Sequence, residues 1–399
     1  MAKIDDSVKK KVPELRFKGF TDDWEQRKLG DEVRIVMGQS PNSENYTDDP
    51  NDYILVQGNA DMKNGRVLPR VWTTQVTKQA EKDDLILSVR APVGDIGKTA
   101  YDVVIGRGVA AIKGNEFIFQ NLGKMKSDGY WTRYSTGSTF ESINSTDIKE
   151  AIISVPAIEE QDKIGSFFQQ LDETIALHQR KLDLLKEQKK GYLQKMFPKN
   201  GAKVPELRFK GFTGDWEERK LGELVEQIIR EVPKPNKPYY RMSVRSHAKG
   251  TFKQFVDNPE NVAMDKLFVV KKDDLVVNIT FAWEHAIAVV NEENDGLLVS
   301  HRFPTYRADG KSDIEFLHHV VSKENFRRKL EFISPGGAGR NRVLNKKDFL
   351  KLKIFVPKIE EQQKIGSFFK QLDNTIALHQ RKLDLLKEQK KGFLQKMFV

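Results

Sequence analysis

The sequence predicts an α+β protein in which two mixed α/β domains are separated by two long antiparallel coiled-coil helices, with a pseudo-two-fold internal repeat. Two observations predict this fold. The stretch 158–197 recurs without a gap at 359–398, and only four of its 40 positions differ. A second repeat, at 11–30 and 203–222, opens each half of the chain. This period is far too long for a solenoid and indicates a duplicated half.

The repeats enclose two blocks, 34–157 and 226–358, which share almost no identity in register and differ in length by nine residues. Both blocks nevertheless follow one order: strand-like stretches such as "GVAAIKG" and "GLLVSHRFPTYRA", a helix-like patch, a Gly-rich loop, a strand and a proline. This shared order predicts two domains of one fold with different surfaces. The predicted boundaries are 1–157 for the first domain, 158–197 for the first spacer helix, 198–358 for the second domain and 359–399 for the second spacer helix.

Each repeated helix carries a heptad seam. From Ile164 to Met196 the seam positions alternate in steps of four and three, and only the polar residues His178 and Lys189 interrupt the apolar run. Pro156 precedes the helix and ends the strand before it, because proline fits the interior of neither element. A helix of about 33 residues would be roughly 50 Å long at ~1.5 Å per residue.

A single helix of this kind would expose its apolar seam to water. The near-identical second helix is the simplest partner to cover that seam. A fully overlapping antiparallel pair would place His178 opposite Leu383 and Lys189 opposite Leu372. Polar seam residues would then fix the register at some cost in stability. Two alternatives stay open: the polar residues contact groups outside the seam, or His178 and His379 titrate or bind a metal.

Composition limits the class of protein. The chain of 399 residues has no cysteine, which excludes disulfides, thiolate zinc sites and cysteine nucleophiles. No apolar run approaches the ~18 residues that a membrane helix needs. The first residues contain no apolar segment typical of a secretory signal. We therefore expect a cytoplasmic protein without a membrane partner.

The net charge of +10 is distributed unevenly. Block 34–157 has 14 basic and 15 acidic residues, whereas block 226–358 has 24 basic and 17 acidic residues, a net charge of +7. Such an excess favours a polyanionic partner. A merely basic surface would give the same totals.

Loop residues of the two blocks are the candidate DNA contacts, because Arg, Asn, Gln, Ser, Thr and aromatic side chains bind base edges and phosphates. In the first block the candidates are Arg90, Arg107, Arg133, Tyr134, Ser138 and Thr139. In the second block they are Tyr240, Arg241, Arg245, His247, His301, Arg302, Arg340, Asn341 and Arg342. The segment "GGAGRNR" at 336–342 is the strongest patch, because its glycines allow close backbone approach. The alternative for each residue alone is a solvated loop charge.

No motif indicates a catalytic or metal site. The segment "PVGDIGKT" at 92–99 resembles a phosphate-binding loop, but Pro92 occupies the position of the first required glycine. The chain has no H-E-x-x-H motif and no dinucleotide-binding fingerprint. The adjacent pair His318–His319 is expected at the surface. These absences favour a binding protein over an enzyme.

The whole pattern resembles the DNA specificity subunit of type I restriction–modification enzymes. The resemblance rests on "VPAIEEQDKI" and "VPKIEEQQKI" leading into the long helices, on "LLKEQKKG(Y/F)LQKMF" at their ends, and on "WEQRKLGDEV" and "WEERKLGELV" at block entry. "DDLILSVRAPVGDIG" is also similar to the family pattern, whereas the second block departs from it with "DDLVVNITFAWEHAI".

The resemblance implies a function for each part of the chain. The two α/β domains would be target recognition domains, each reading one half of a bipartite site in double-stranded DNA, and the helices would set the gap. The partners would be two modification (methyltransferase) subunits that use S-adenosylmethionine, and restriction subunits that use ATP and Mg²⁺. The chain itself would hold no cofactor, no metal and no catalytic residue.

Two other classes of protein are alternatives. A non-catalytic protein–protein adaptor with a coiled-coil spacer would explain the helices but not the Gly- and Arg-rich loops. A self-sufficient methyltransferase or nuclease would need motifs that the sequence does not contain. Salt-dependent binding to duplex DNA distinguishes the first alternative, and methyl transfer by the chain alone distinguishes the second.

Overall fold

The computed structural model describes residues 12–134, 142–199, 201–308, 310–334, 336 and 342–399, with only the backbone of 133 and 134. It forms two compact units. Unit 1 is Met1–Arg180 with Arg381–Val399, and unit 2 is Lys181–Gln380. Each unit therefore contains one variable block together with parts of both long helices.

Among the described residues, the second half of the chain has one more α-helix than the first. In chain order the α-helices are α1 (Leu29–Glu32), α2 (Glu116–Ser127), α3 (Ser145–Lys149), α4 (Ile158–Lys195), α5 (Leu221–Leu224), α6 (Ile314–Val321), α7 (Glu324–Phe332), α8 (Lys346–Lys351) and α9 (Ile359–Met397). The long helices that the heptad seam predicts are α4, of 38 residues, and α9, of 39 residues. No helix in the described ranges has the length and apolar content needed to cross a membrane.

Unit 1 contains short strands arranged in three sheets. The strands are β1 (Glu25–Lys28), β2 (Arg34–Met37), β3 (Tyr46–Thr47), β4 (Tyr53–Val56), β5 (Met62–Lys63), β6 (Arg66–Val67), β7 (Trp72–Thr73), β8 (Gln79–Ala80), β9 (Leu85–Ser88), β10 (Ile96–Lys98), β11 (Val103–Ile105), β12 (Val109–Lys113) and β13 (Ile152–Val155). The sheet orders are β1-β13, β2-β12-β9-β10-β6-β5 and β3-β7-β4-β11-β8.

Unit 2 repeats this arrangement. Its strands are β14 (Glu217–Lys220), β15 (Glu226–Ile228), β16 (Glu231–Pro233), β17 (Tyr239–Val244), β18 (Thr251–Val256), β19 (Lys266–Val269), β20 (Leu275–Val277), β21 (Ile287–Val289), β22 (Leu298–Val299), β23 (Thr305–Arg307) and β24 (Lys353–Val356). The sheet orders are β14-β24, β15-β23-β20-β21 and β16-β19-β22-β17-β18.

The two units share one topology despite their unlike sequences. The order β2-β12-β9-β10 in unit 1 corresponds to β15-β23-β20-β21 in unit 2. In the second sheet, β4 and β11 pair in parallel, as do β17 and β22. The prediction of two mixed domains of one fold is confirmed. The apolar strands β9, β11 and β20 are buried on both faces, so packing preserves the topology while exposed positions differ.

The helix seam is formed separately inside each unit. In unit 1 the start of α4 packs against the end of α9, with the Phe167 and Phe393 rings 5.1 Å apart and Lys390 2.6 Å from Asp172. Higher residue numbers in α4 meet lower numbers in α9, so the segments are antiparallel.

In unit 2 the end of α4 packs against the start of α9 in the same manner. The Tyr192 and Phe368 rings are 5.1 Å apart, and Lys189 forms an ion pair with Asp373, the residue after the predicted Leu372. Lys189 is half-buried, so its ammonium meets a carboxylate at the edge of the apolar seam.

Two repeated segments close the units. We name them the first strap (residues 12–20) and the second strap (204–212). In the first strap, Arg16 donates two hydrogen bonds to Glu160 at 2.6 and 2.7 Å, while the Leu15 amide donates to the Lys396 carbonyl at 2.8 Å. The strap therefore joins the beginning of α4 to the end of α9 within unit 1, and the predicted proximity of the two chain ends is confirmed from Leu15 onward.

The second strap makes the equivalent contacts in unit 2. Arg208 donates to both oxygens of Glu361, at 2.7 and 2.6 Å, and the Leu207 amide donates to the Lys195 carbonyl at 2.9 Å. Glu361 is buried, so this bidentate pair satisfies a carboxylate that water does not reach.

One expectation about histidines is wrong. His319 was expected at the surface, but it is buried, and its ring lies 4.7 Å from that of Phe369. Burial lowers the pKa of His319 to about 3, which keeps the ring neutral. In α6, His319 lies on the face that packs against α9. The expectation of a surface position rested on the polar residue type, which does not show which face of the helix is buried.

A circular permutant opened after Pro198, with Val399 joined directly to Met1, should be soluble and fold with native helix content. The reason is that Leu15 of the first strap already contacts the end of α9, so joining the two ends leaves the strap in place. Circular dichroism and gel filtration measure this outcome. A matched permutant opened inside the buried strand β12 should aggregate; equal aggregation of both permutants would contradict the closed arrangement.

Replacing Glu361 with Ala should lower the free energy of unfolding by about 3 kcal/mol, because it leaves a part-buried Arg208 without its carboxylate. Urea unfolding monitored by tryptophan fluorescence measures this loss. The control is Glu217→Ala, which breaks an exposed pair with Arg219 and should leave the free energy of unfolding almost unchanged. Equal losses in the two variants would show that the strap pair has no special role.

Candidate nucleic-acid interface

In unit 1, two candidate arginines lie at one edge of a sheet. Arg107 lies in the turn between β11 and β12, and its amide donates to the Ser40 hydroxyl at 3.1 Å. The Val89 amide donates to the Gly108 carbonyl at 2.9 Å, so the chain just after β9 lies beside this turn. Arg90 follows Val89 directly. The structure thus brings Arg90 and Arg107 to the same sheet edge, and both side chains are exposed.

In unit 2, the topologically equivalent turn carries Arg302. This turn precedes β23, which corresponds to β12, and the Ile279 amide just after β20 donates to the Arg302 carbonyl at 3.0 Å. His301 is the neighbouring residue and is also exposed. The matching hydrogen bonds align Gly108 with Arg302 and Arg107 with His301, so both variable domains present an exposed arginine from equivalent turns, at neighbouring positions.

The candidate arginines differ from other arginines in how their charge is compensated. Within the described ranges, no carboxylate pairs with the exposed guanidinium groups of Arg90, Arg107, Arg241, Arg245 and Arg302. By contrast, Arg230 and Arg307 both contact the buried carboxylate of Asp274, at 2.6 and 3.4 Å. An uncompensated guanidinium retains its attraction for phosphate or a base edge.

Unit 2 contains a cleft of about 360 Å³ into which Arg241 and Arg302 both project. Arg241, on β17, donates through Nε to Gln254 Oε1 at 3.0 Å. Arg302 donates through Nη1 to Thr280 Oγ1 at 3.0 Å. These neutral acceptors orient the two guanidinium groups without cancelling their charge.

The remaining donors of each guanidinium define what the cleft can bind. A guanidinium has five N–H donors, and each arginine uses one of them on its neutral partner. The free Nη donors of Arg241 suit the paired acceptors of a guanine edge or a phosphate. Asn278, which lines the same cleft, adds an amide group that can bind adenine or a backbone phosphate.

Other candidates of unit 2 have different surroundings. Arg245 stacks over the Phe252 ring at 4.8 Å, while Arg342 lies 5.2 Å from the Trp283 ring and 3.8 Å from Glu331. Arg342 is thus partly compensated by a carboxylate.

Two further candidates lie on the hairpin formed by β17 and β18. Tyr240 projects from the face of β17 opposite to that of its neighbour Arg241, and its ring packs on Phe255, with the centroids 5.0 Å apart. His247 is exposed in the hairpin turn with φ 60°.

Six candidates remain predictions without side-chain geometry. For Arg133 and Tyr134 only the backbone is described, as part of a 3₁₀ turn over Tyr130–Tyr134. Ser138, Thr139, Arg340 and Asn341 lie outside the described residues. The patch at 336–342 is therefore represented only by Gly336 and Arg342.

Sequence reasoning missed the residues that orient the arginines. Gln254 and Thr280 were not candidates, and neither was Asn278 in the cleft. A usable signal existed for Asn278 and Thr280, because polar residues directly follow the buried run "LVV" at the end of β20. Gln254 gave no such signal, since its role depends on its register opposite Arg241 across β17 and β18.

The structure also describes the segment that resembles a phosphate-binding loop. Its residues Ile96, Gly97 and Lys98 form β10 inside a sheet, and Lys98 lies 3.7 Å from Glu116. A strand does not present the consecutive backbone N–H groups that cradle phosphates. Among the described residues, no three His, Asp or Glu side chains are grouped closely enough to hold a metal ion.

Comparison with known proteins identifies one family. Residues 21–187 and 213–388 each match the type I restriction modification DNA specificity domain. The chain is 32% identical over 177 residues to the putative type I restriction enzyme MjaX specificity subunit of Methanocaldococcus jannaschii, a match covering 42% of this chain and 41% of that protein. It is 20% identical over 420 residues to the MjaVIII specificity subunit of the same organism, covering 94% and 91%.

A solved structure shows the same fold. The chain superposes on the type I restriction–modification S subunit from M. genitalium with a TM-score of 0.64 and 15% identity, covering 97% of this chain and 99% of that chain.

Replacing Arg241 with Ala should weaken duplex binding about tenfold, because a guanidinium contact contributes ~1–3 kcal/mol. Fluorescence anisotropy with the chain assembled with modification subunits measures this loss. Arg327→Ala is the matched control, since Arg327 is already paired with Glu324 and Glu331 at 2.7 and 2.9 Å. Equal weakening by both variants would contradict a specific role for the cleft.

Proposed function

Because the chain belongs to the type I restriction–modification DNA specificity family, we propose that it selects the DNA sequence on which a multi-subunit methyltransferase and endonuclease acts. In this proposal each variable domain reads one half of a bipartite site in double-stranded DNA. One observation carries the proposal: two domains of one topology present exposed, uncompensated arginines, Arg107 and Arg302, from equivalent turns.

The equivalence of the two turns suits two readers that approach DNA in the same manner but recognise different bases. The sheets hold each turn rigidly, since the flanking strands are buried. The side chains around each turn differ, because Arg107 is followed by Gly108, whereas Arg302 is accompanied by Arg241 and Gln254. Arginine at such a turn can bind guanine in the major groove, and nearby lysines can position the phosphates.

The long helices would set the gap between the two half-sites and dock two modification subunits. The support for this part is the near identity of α4 and α9, which contrasts with the unlike blocks. A constant helix surface allows one type of partner subunit to bind twice, while the variable blocks change sequence choice without altering that surface.

In this proposal the chain is a non-catalytic, cytoplasmic protein. Methyl transfer would belong to the modification subunits, which bind S-adenosylmethionine, and ATP- and Mg²⁺-dependent steps to the restriction subunits. The chain's own residues would bind and orient DNA. A protein–protein adaptor with a coiled-coil spacer is the alternative, and it predicts no dependence of DNA methylation on the variable blocks.

Replacing block 226–358 by the corresponding block of another specificity subunit should change one half of a split methylation motif and leave the other half unchanged. Methylation mapping of DNA from cells that express the chain with its modification subunit measures this. The matched control replaces block 34–157, which should change the opposite half. If no methylation motif depended on the chain, the result would favour the protein–protein adaptor.

A further inference from the structure

Unit 2 contains a second cleft, which is larger than the arginine cleft and is lined by none of the candidate DNA contacts. It has a volume of about 620 Å³ and lies between the end of α4 and the start of α7. We name it the lysine cleft because five ammonium groups line it: Lys186, Lys189, Lys190, Lys199 and Lys323. Its carboxylates are Glu324 and Asp373. Two further carboxylates lie beside it: Glu206 is 3.1 Å from Lys199, and Glu187 is 3.9 Å from Lys190. The cleft therefore has an excess of positive charge.

Both carboxylates of the cleft are already engaged. Asp373 forms the ion pair with Lys189 that belongs to the helix seam. Glu324 accepts hydrogen bonds from Arg327, and Arg328 lies 3.8 Å from it. Neither carboxylate pairs with Lys323. The charge of this lysine is therefore not compensated by any described residue of the cleft.

Lys323 is held in an environment that disfavours its charged form. Its Nζ lies 3.7 Å from the centroid of the Phe197 ring, and the residue is half-buried. Burial, followed by the charge of Lys199, lowers the pKa of Lys323 to about 7. His319, on α6, also lies near it but is neutral, because burial lowers the pKa of that ring to about 3. An anion bound in the cleft would stabilise the ammonium form of Lys323 and so offset the cost that burial imposes on its charge.

The internal repeat supplies a matched site in unit 1 that lacks an uncompensated lysine equivalent to Lys323. Lys387, Lys390 and Lys391 of α9 repeat Lys186, Lys189 and Lys190 of α4 within an identical stretch of sequence. Lys390 pairs with Asp172 just as Lys189 pairs with Asp373.

The two units differ at the position of Lys323. Phe117 and Phe316 are equivalent, since each stacks on the last phenylalanine of the repeated helix, Phe398 or Phe197. Seven residues after Phe117 is Lys124, which donates to Asp128 at 2.8 Å. Unit 1 thus neutralises the lysine that unit 2 leaves uncompensated.

We propose that the lysine cleft of unit 2 binds a phosphate group, with Lys186, Lys190, Lys199 and Lys323 as the donors. Lysine binds phosphate as a mobile point charge, and several ammonium groups around one cleft suit the spread charge of a phosphate ester. The volume of about 620 Å³ accommodates more than one phosphate group. The phosphate could come from a DNA backbone or from a free nucleotide, which offer the same chemistry.

Binding should be coupled to proton uptake. Near pH 8, Lys323 is mostly neutral in the empty cleft, because its pKa is about 7. A phosphate dianion favours the ammonium form, so the complex takes a proton from the buffer. This coupling distinguishes the cleft from a surface cluster of lysines, whose ammonium groups are already fully charged at that pH.

The test is calorimetric titration of the full chain with inorganic pyrophosphate near pH 8, in two buffers of different ionisation enthalpy. We expect saturable binding in which the wild-type chain takes up more protons than Lys323→Arg, a difference that cancels the protons that pyrophosphate itself releases on binding. Lys323→Met should weaken binding about tenfold, the loss expected for one charged hydrogen bond, and abolish uptake. Lys323→Arg should keep the affinity but lose the uptake, because arginine stays protonated. Thermal melting of each variant checks that it is folded.

The repeat supplies the control for this test. Lys190→Ala should weaken pyrophosphate binding, whereas Lys391→Ala, in the same sequence context of unit 1, should leave it unchanged. Equal effects of these two variants, equal proton uptake by the wild-type chain and Lys323→Arg, or no effect of Lys323→Met would each overturn the proposal.

Two further titrations identify the source of the phosphate. If it is DNA, Lys323→Met should lower the affinity for a duplex of arbitrary sequence and reduce the dependence of binding on salt by about one phosphate contact. If it is a nucleotide, ATP should displace pyrophosphate while duplex affinity stays unchanged. Neither outcome depends on sequence-specific recognition, so this proposal can fail or succeed independently of the proposed function.

Discussion

A buried arginine–glutamate pair at the beginning of each long helix is the interaction on which both units depend. Arg16 and Glu160 form it in unit 1, and Arg208 and Glu361 form it in unit 2. A carboxylate out of contact with water is costly unless it is fully hydrogen-bonded, so each strap is required where it lies. The backbone of each strap also donates a hydrogen bond to a carbonyl at the end of the other long helix in its unit. Each unit is therefore assembled from segments that are distant in the chain.

This constraint separates the part of the chain that must stay constant from the part that can vary. The straps, the two helices and the aromatic cluster at each helix end contact one another inside each unit, so a change in one needs a change in another. The turns before β12 and β23 join these cores through backbone hydrogen bonds from Val89 and Ile279, while the side chains of Arg107 and Arg302 are exposed. Exposed side chains in these turns can therefore differ between the two units without loss of packing.

Much of the fold was predictable, and the exceptions have physical causes. The heptad spacing predicted α4 and α9, and the strand-like stretch "GVAAIKG" predicted β12. The hairpin of β17 and β18 was missed, because its turn places His247 and Ala248 at φ 60° and 51°. Alanine rarely adopts this conformation, and here hydrogen bonds from both amides to Glu284 and His285 hold the turn.

The sequence by itself determined the duplicated frame, the period of the helices, the family and the excess of positive charge in the second block. Only the tertiary structure decided which of those charges are available. Arg302 and Arg307 are five residues apart, yet one is bound by a neutral threonine and the other lies against the buried Asp274. Lys124 and Lys323 occupy equivalent positions, yet only Lys124 meets a carboxylate. Compensation of a charge depends on the groups within a few ångströms in space, and spacing along the chain does not specify those neighbours.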